Sequence, residues 1–423
     1  AELMNDTFIN IKVDREERPD IDNIYMSVTQ MVTGRGGWPM TIIMTPDKQP
    51  FFAGTYFPKN TRYSRIGILD LVPKINALWN EKAGRDSLLG NAATLTKKLK
   101  NINRSIKRSG KVSNDVFKNT YEIFKSRYDD KYGGFGSSPK FPKPHDYMFL
   151  ASYYNRTKNK NSLEMLEKSL KNMRYGGIYD QIGFGYHRYS TDSKWIVPHF
   201  EKMLYDQALL IHAYLDTYIA TGDKNYAEIV DEIIQYVLRD MTSDHGGFYS
   251  AEDADSQGEE GTFYLWKSDD IFNLLGEDKG AFINDVLNIQ ETGNWKEGWE
   301  HGTNIPHKTS TWKEISKKYS LTVDETKSLY EECRVKLFNY REGRVHPQKD
   351  DKILTDWNGL MISALSRAAK ILENDIYKEA AIKCMDFILK YLRDSDGKLL
   401  KRIRMESGIA GLDATIEDYS FLI

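Results

Sequence analysis

The sequence predicts a multidomain chain of mixed α/β and all-α class, with a short α/β segment followed by a long helical part that closes as a toroid. Three observations lead there. The first sixty residues alternate strand-like and helix-like runs, and the remainder reads as one amphipathic helix after another. Several of those helices end in a recurring Gly-Gly-aromatic turn. The length of 423 residues exceeds the usual size of one domain, so two domains are expected.

In the α/β segment, Phe8–Val13 reads as a short strand and Ile21–Thr33 as a helix. Met40–Met44 reads as a second, buried strand, with Pro50–Tyr56 as its hairpin partner after a Pro-Asp-Lys-Gln turn. Ile66–Trp79 closes the unit as an amphipathic helix, and residues 1–82 are assigned to it. From Ser87 to Asn114 there is no acid, while Lys97, Lys98, Lys100, Arg104, Lys107, Arg108 and Lys111 accumulate. Residues 83–112 are therefore read as a basic, solvated connecting helix, in preference to a nucleic-acid or lipid surface.

Residues 113–423 carry the helical periodicity. The clearest runs are Asp115–Arg127, Pro144–Tyr154, Ser162–Arg174, Pro198–Ala220, Tyr226–Met241, Val323–Phe338, Trp357–Leu372 and Tyr377–Tyr391. The recurring turns are Asp-Lys-Tyr-Gly-Gly-Phe at 130–135, Arg-Tyr-Gly-Gly-Ile-Tyr at 174–179 and Asp-His-Gly-Gly-Phe-Tyr at 244–249, with a weaker echo at 394–399. A glycine after a helix supplies the left-handed cap, and a second lets the chain turn back closely. The irregular spacing of the turns argues against an open solenoid and for a closed toroid with its loops gathered over one end.

Composition narrows the function. A net charge of −2 gives no reason to expect nucleic acid or an anionic membrane as partner, and no apolar run approaches the length needed to span a bilayer. Cys333 and Cys384 are the only cysteines, which fits a reducing, cytoplasmic compartment and inert buried thiols. The 26 tyrosines, 8 tryptophans and 18 phenylalanines suit packing, and also clefts for sugars and other small molecules. There is no P-loop, dinucleotide fingerprint, His-Glu-x-x-His or Gly-x-Ser-x-Gly.

The densest chemistry lies in Gly176–Asp206, where a glycine-rich loop holds Tyr179, Asp180, His187, Arg188, Asp192 and Trp195 before a helix expected to start at Pro198. On that reading His199 and Glu201 fall in the first turn, and His199, Met203 and Asp206 share a face. Imidazoles near a helix start suit acid–base work, because they titrate near neutrality and the dipole favours the neutral ring. Ser250–Trp266 adds Glu252, Asp253 and Asp255, with Glu259 and Glu260 behind them; paired carboxylates suit glycoside chemistry. Asp350–Met361 adds Asp356, Trp357 and Asn358 at another helix start, and Ala410–Asp418 repeats the arrangement with Asp413, Glu417 and Asp418. A polar network tying loops to the toroid accounts for any one of these residues; four such segments together point to a mouth. No cofactor is assigned, and a zinc site from His187, His199 and a carboxylate is the weaker alternative to no metal.

Longer motifs resemble a known family. Val13-Asp-Arg-Glu-Glu-Arg-Pro-Asp20, Gly36-Gly-Trp-Pro39 and Phe52-Ala-Gly-Thr-Tyr-Phe-Pro58 are similar to the N-terminal signature of the spermatogenesis-associated protein 20 family, which includes YyaL-like proteins. His187-Arg-Tyr-Ser190, Pro198-His-Phe-Glu-Lys-Met-Leu-Tyr-Asp206 and Trp357-Asn-Gly-Leu-Met361 continue the likeness. The resemblance implies a thioredoxin-like domain, with Pro39 cis, followed by an (α/α)6 toroid of the six-hairpin glycosidase type, similar to N-acylglucosamine 2-epimerases. Family members carry a Cys-x-x-Cys-type segment and a first strand ahead of the position of Ala1, and continue past Ile423. The thioredoxin-like part is thus expected to lack its redox segment and the toroid its last helices.

Three readings follow. The first is a sugar-processing or sugar-binding protein, with His187 and His199 as acid and base, Asp180, Asp206, Asp253 and Asp356 assisting, and Tyr179, Arg188, Trp195, Glu201, Glu252, Asp255, Trp357 and Asn358 contacting a small-molecule ligand. The second is a thiol-redox or chaperone-like protein acting through the N-terminal domain. The third is a non-catalytic ligand-binding toroid.

Overall fold

The structure is a computed structural model and describes residues 1–63, 65–104, 113, 115–295 and 301–423. It forms two compact units, Ala1–Val112 and Ser113–Ile423.

The first unit contains α1 (Glu2–Thr7), α2 (Pro19–Thr33), β1 (Thr41–Met44), β2 (Pro50–Gly54), α3 (Ile68–Asn80) and α4 (Lys82–Arg104). Pro19 opens α2 at its first turn and Gly34 closes it in the left-handed conformation. β1 and β2 pair antiparallel, Ile43 opposite Phe52, and lay Ile43 and Phe51 on Leu71 and Ile75 of α3 and Ala92 of α4. The Trp38–Pro39 bond is cis, as the resemblance implied. Phe8–Val13 is not a strand: Ile9 is 93% and Ile11 78% exposed. Alternation specifies a strand only where a ladder partner and a buried face are available, and here neither is supplied. The basic helix is present as α4 to Arg104, while Lys107, Arg108 and Lys111 lie outside the described residues.

The second unit runs through α5 (Asp115–Arg127), α6 (Pro144–Thr157), α7 (Lys160–Tyr175), α8 (Leu204–Thr221), α9 (Lys224–Asp240), α10 (Ser268–Leu275), α11 (Glu277–Val286), α12 (Trp312–Tyr319), α13 (Val323–Arg341), α14 (Thr355–Leu372), α15 (Asp375–Tyr391) and α16 (Ile416–Leu422). Helices α6, α8, α14 and α16 pack in succession as an inner wall, with α7, α9 and α15 behind them. The inner helices are apolar on several sides; in α8, Leu204, Ala208, Leu210, Ile211, Ala213, Tyr214, Leu215 and Thr217 are all buried. One end of the wall has two-residue links, Lys158–Asn159, Gly222–Asp223 and Glu373–Asn374. At the other end long loops precede the inner helices, so the connecting segments gather there as expected. Helix α13 does not join this wall. With α10–α12, helices of only eight to ten residues and too short to establish a period, it forms an excursion between α9 and α14 around Trp266, Ile271, Phe282, Ile283, Ile315, Tyr330 and Leu337.

The recurring turn is more regular in space than in sequence. Asp129 accepts the amides of Lys131 and Tyr132 on Oδ1, and its own amide donates to the Gly134 carbonyl. Asp180 does the same with Ile182 and Gly183 and with Gly185, and Asp394 with Asp396 and Lys398. The second copy is thus Asp180–Gly185, not the Gly-Gly at 176–177. Those two glycines serve a close approach instead: a Cβ on Gly176 would stand 2.1 Å from the Trp195 carbonyl oxygen.

The loops are stitched to one another by short antiparallel pairings: Lys140 with Ser190, Tyr189 with His199, Lys202 with Glu252, Glu252 with Lys349, and Lys352 with Arg404. One ion cluster locks the seam to the excursion. The Arg341 guanidinium donates to both Asp180 oxygens at 2.8 and 2.9 Å, and the Lys202 ammonium to Oδ2 at 3.0 Å, with all three side chains buried. Burial by itself would raise the Asp180 carboxyl, but the two cations overcome it and hold it well below the usual range. Removing one partner of such a cluster leaves a buried charge uncompensated. Arg341→Leu is therefore expected to cost about 3–5 kcal/mol in urea unfolding, and a loss below about 1 kcal/mol would contradict the clamp. Gly176→Ala is expected to cost about 1–3 kcal/mol in the same measurement, because backbone rather than a flexible side chain must yield.

Candidate functional site

The loop end presents one half-buried polar ridge. Tyr189 and His199 pair across a two-residue ladder, and Ser190 with Pro198, so Pro198 and His199 are strand and not helix. Helix α8 begins six residues later than the proline signal predicts, at Leu204, because residues 198–203 are committed to pairing with Tyr189, Ser190, Ala251 and Glu252. His199 therefore receives no helix dipole, and it does not share a helical face with Met203 and Asp206.

Two carboxylates flank His199. Its Nδ1 lies 2.7 Å from Glu260 Oε1, an atom that also accepts the Phe200 amide at 3.3 Å. Its Nε2 lies 3.7 Å from Glu201 Oε2. The hydrogen bond from His199 holds the Glu260 carboxyl below its ordinary value. Glu260 arrives on a tight hairpin, Asp255–Ser256 against Glu259–Glu260, whose central Gln257 and Gly258 both take the left-handed backbone. Glu201 is fixed by Arg188, whose Nη1 donates to Oε2 at 2.6 Å while its backbone amide donates to the Glu201 carbonyl. Burial opposes the charge on Arg188, yet Tyr205, Glu201 and Asp206 together overcome it and raise its pKa. Aromatic rings flank the ridge: Phe141 on Tyr189 at 4.8 Å, Tyr189 on His199 at 4.9 Å, and Tyr205 edge-on to Trp357 at 4.8 Å.

Other residues expected at the site lie behind it. His187 is buried, donates Nδ1–H to the Phe200 carbonyl at 2.8 Å, and meets the rings of Phe200 and Tyr264 edge-on. Burial first, then Lys202, pushes its pKa down to about 3, so the ring is a neutral core group and no paired imidazole faces His199. Asp180 is spent on its turn and the Arg341–Lys202 cluster. Tyr179 is buried beneath Arg174, with its hydroxyl on Glu232. Trp195 is buried against Lys140 and donates to the Tyr132 carbonyl, so no face is left to stack on a ligand. Asn358 is buried, bonded to both backbone groups of Phe248, and Glu252 is buried accepting from Tyr236.

Asp356 meets Lys401 at 2.7 Å, with Asp418 on the same ammonium at 3.1 Å; burial raises the Asp356 carboxyl and Lys401 offsets part of it. Asp206 is 7% exposed in the first turn of α8, while Asp253 and Asp255 are exposed. Sequence reasoning missed Tyr189, Tyr205 and Phe141, and left Glu260 in the background. The available signal was the run Gln257-Gly258, a tight-turn pair that brings Glu260 back along the chain.

Among the described residues no three His, Cys, Asp or Glu side chains are grouped closely enough to hold a metal ion. Cys333 and Cys384 are free and buried, and burial raises both thiols, which disfavours the thiolate. No described helix is long and apolar enough to cross a membrane. A groove of about 580 Å³ between α14 and α15, lined by Ile362, Glu373 and Lys378, lies by the short Glu373–Asn374 link and shares no residue with the ridge.

Residues 1–100 match the thioredoxin-like family Thioredox_DsbH, described as a protein of unknown function, DUF255. An uncharacterised protein of Caenorhabditis elegans is 38% identical over 459 residues, covering 100% of this chain and 61% of its own length. Spermatogenesis-associated protein 20 of Homo sapiens is 34% identical over 455 residues, covering 100% of this chain and 58% of its own. The chain thus spans about three-fifths of the curated relatives it matches. Among solved structures, a sugar epimerase from a ruminal bacterium aligns over 71% of this chain and 94% of its own at 12% identity and a TM-score of 0.29. A family 76 glycoside hydrolase (mannosidase) of Bacteroides thetaiotaomicron aligns over 71% and 60%, at 10% identity and a TM-score of 0.40. Along its whole length the chain is 34–38% identical to these relatives, spermatogenesis-associated protein 20 among them.

Proposed function

We propose that the loop end of the helical unit binds a carbohydrate and carries out acid–base chemistry on it through His199. The observation that supports this is the half-buried imidazole set between Glu260 and Glu201. Glu260 accepts the Nδ1–H hydrogen bond and so fixes the tautomer in which Nε2 carries the lone pair. When Nε2 accepts a proton, the resulting imidazolium stands between two carboxylates and is stabilised by both. The flanking rings of Phe141, Tyr189, Tyr205 and Trp357 offer the apolar faces that a pyranose stacks on.

Of the two histidines in Gly176–Asp206 only His199 reaches solvent, and one base in that segment favours an aldose–ketose isomerisation over a two-base epimerisation. In an open-chain aldose, Nε2 takes the proton from C2, the C1 carbonyl becomes an enediol, and the same nitrogen returns the proton to C1. The O2 hydroxyl proton travels to O1 by way of Glu201, which Arg188 holds beside the imidazole. No oxidant or cofactor enters that balance.

The test is exchange of the C2 hydrogen in deuterated water, followed by proton NMR over a panel of aldoses including D-glucose, D-mannose and N-acetyl-D-glucosamine. Wild type is expected to label at least one, and His199→Ala to lower the rate by about 10²- to 10⁴-fold with ligand binding retained. A wild type that binds sugars yet exchanges none of them is a binding toroid and not an isomerase. His187 gives a contrasting prediction. Its folded pKa of about 3 lies below its ordinary 6.5, so its contribution to stability is intact above pH 6.5 and lost as pH falls toward 3. The loss reaches up to about 1.4 kcal/mol per pH unit in that window. His187→Asn, which keeps a donor for the Phe200 carbonyl, is expected to flatten this acid slope in chemical denaturation while leaving exchange near neutral pH largely intact.

A further inference from the structure

The concave side of the inner wall carries polar groups that the mouth does not use. On α8 from Leu204 to Thr217 the residues that escape full burial form one stripe, Tyr205, Leu209, His212 and Asp216, at alternating steps of four and three. The rest of that stretch is buried, and α8 packs against α6, α9 and α14, so this stripe lies on the side of α8 that these three helices leave open. On α14, Trp357, Leu360, Ser363 and Arg367 make the matching stripe.

The two stripes meet twice. Tyr205 and Trp357 touch near the mouth. Deeper in, an Arg367 amino group pairs with Asp216 and the other lies 3.4 Å from His212 Nδ1. The separation along α8 is roughly 10–16 Å, from the rise of 1.5 Å per residue between Tyr205 and His212 or Asp216. Burial and then Arg367 lower the His212 pKa to about 4, so the cluster at neutral pH is one cation, one anion and a neutral ring. Such a set has no net charge to offer an anion or a cation, but it presents donors and acceptors to neutral hydroxyls.

We propose that His212, Asp216 and Arg367 form a second binding subsite for the hydroxyls of a neutral saccharide of at least two units, one on the Tyr205–Trp357 pair at the mouth and the next at the His212–Asp216–Arg367 cluster. The inference rests on the carbohydrate reading of the mouth. It adds that the ligand extends along the concave wall, because the deeper cluster lies farther from the aromatic pair than one pyranose reaches.

Isothermal titration with D-glucose, D-mannose and N-acetyl-D-glucosamine, and with their β-1,4-linked dimers, tests it. Wild type is expected to bind a dimer about ten-fold tighter than the corresponding monomer. Asp216→Leu with Arg367→Met replaces both charges and leaves neither unpaired. That variant is expected to lose the gain for the dimer and keep the monomer affinity. Ser363→Trp places a bulky ring one turn from Arg367 on the same helix face and leaves both charged residues in place, and is expected to do likewise. Monomer binding in wild type with no gain for any dimer overturns the subsite and leaves the mouth reading standing, as does a dimer gain that survives both variants. No binding of any sugar overturns both.

Discussion

One buried anion organises the loop end. Asp180 gives Oδ1 to two amides of its own turn and shares its two oxygens between Arg341 and Lys202. Through Lys202 it is tied to the small sheet that joins three loops, and through Arg341 to the excursion between α9 and α14. Tyr330 and Arg334 add hydrogen bonds to the carbonyls of Gln181 and Ile182, so α13 grips the loop over several residues. Removing ions from water is expensive, and the geometry here meets the condition under which the cost is returned: bidentate contact, with further hydrogen bonds on the remaining lone pairs.

The same cluster decides which histidine is available. Burial against Phe200 and Tyr264 first, and then the Lys202 and Arg341 cations, keep the His187 ring neutral. His199, twelve residues on, stands where the seam turns toward solvent, with its partners supplied by Glu260 and the Arg188–Glu201 pair. The seam therefore has a desolvated back at His187 and a half-hydrated front at His199.

Much of this was legible in the residues. The long inner and outer helices follow from apolar spacing, and the gathering of loops at one end follows from glycine turns after helices. The Gly176–Asp206 segment does hold the ridge, but its internal assignments divide by partner. Asp180 looks like a catalytic acid until Asp129–Gly134 is set beside Asp180–Gly185; the repeated turn then marks it as structural. Arg341, which comes from far along the chain, leaves no local pattern. His187 and His199 look alike in sequence, and what separates them is Tyr264 packing on one and Glu260 reaching the other. Pro198 carries a helix-start signal that strand pairing overrides, because tertiary hydrogen bonds outweigh a weak local preference. Tyr179, Trp195 and Asn358 show the converse: polar and aromatic groups near a mouth are as often its foundations as its lining.

The two-residue links at the far end have a practical meaning. They carry none of the ridge residues, and each joins an inner helix to the outer helix behind it. The long loops that carry the ridge therefore lie on one side of the wall, while the hairpin joints on the other are short. Lys158, Gly222 and Glu373 are points where a tether or a fluorescent handle can be introduced with the mouth pointing away from the support.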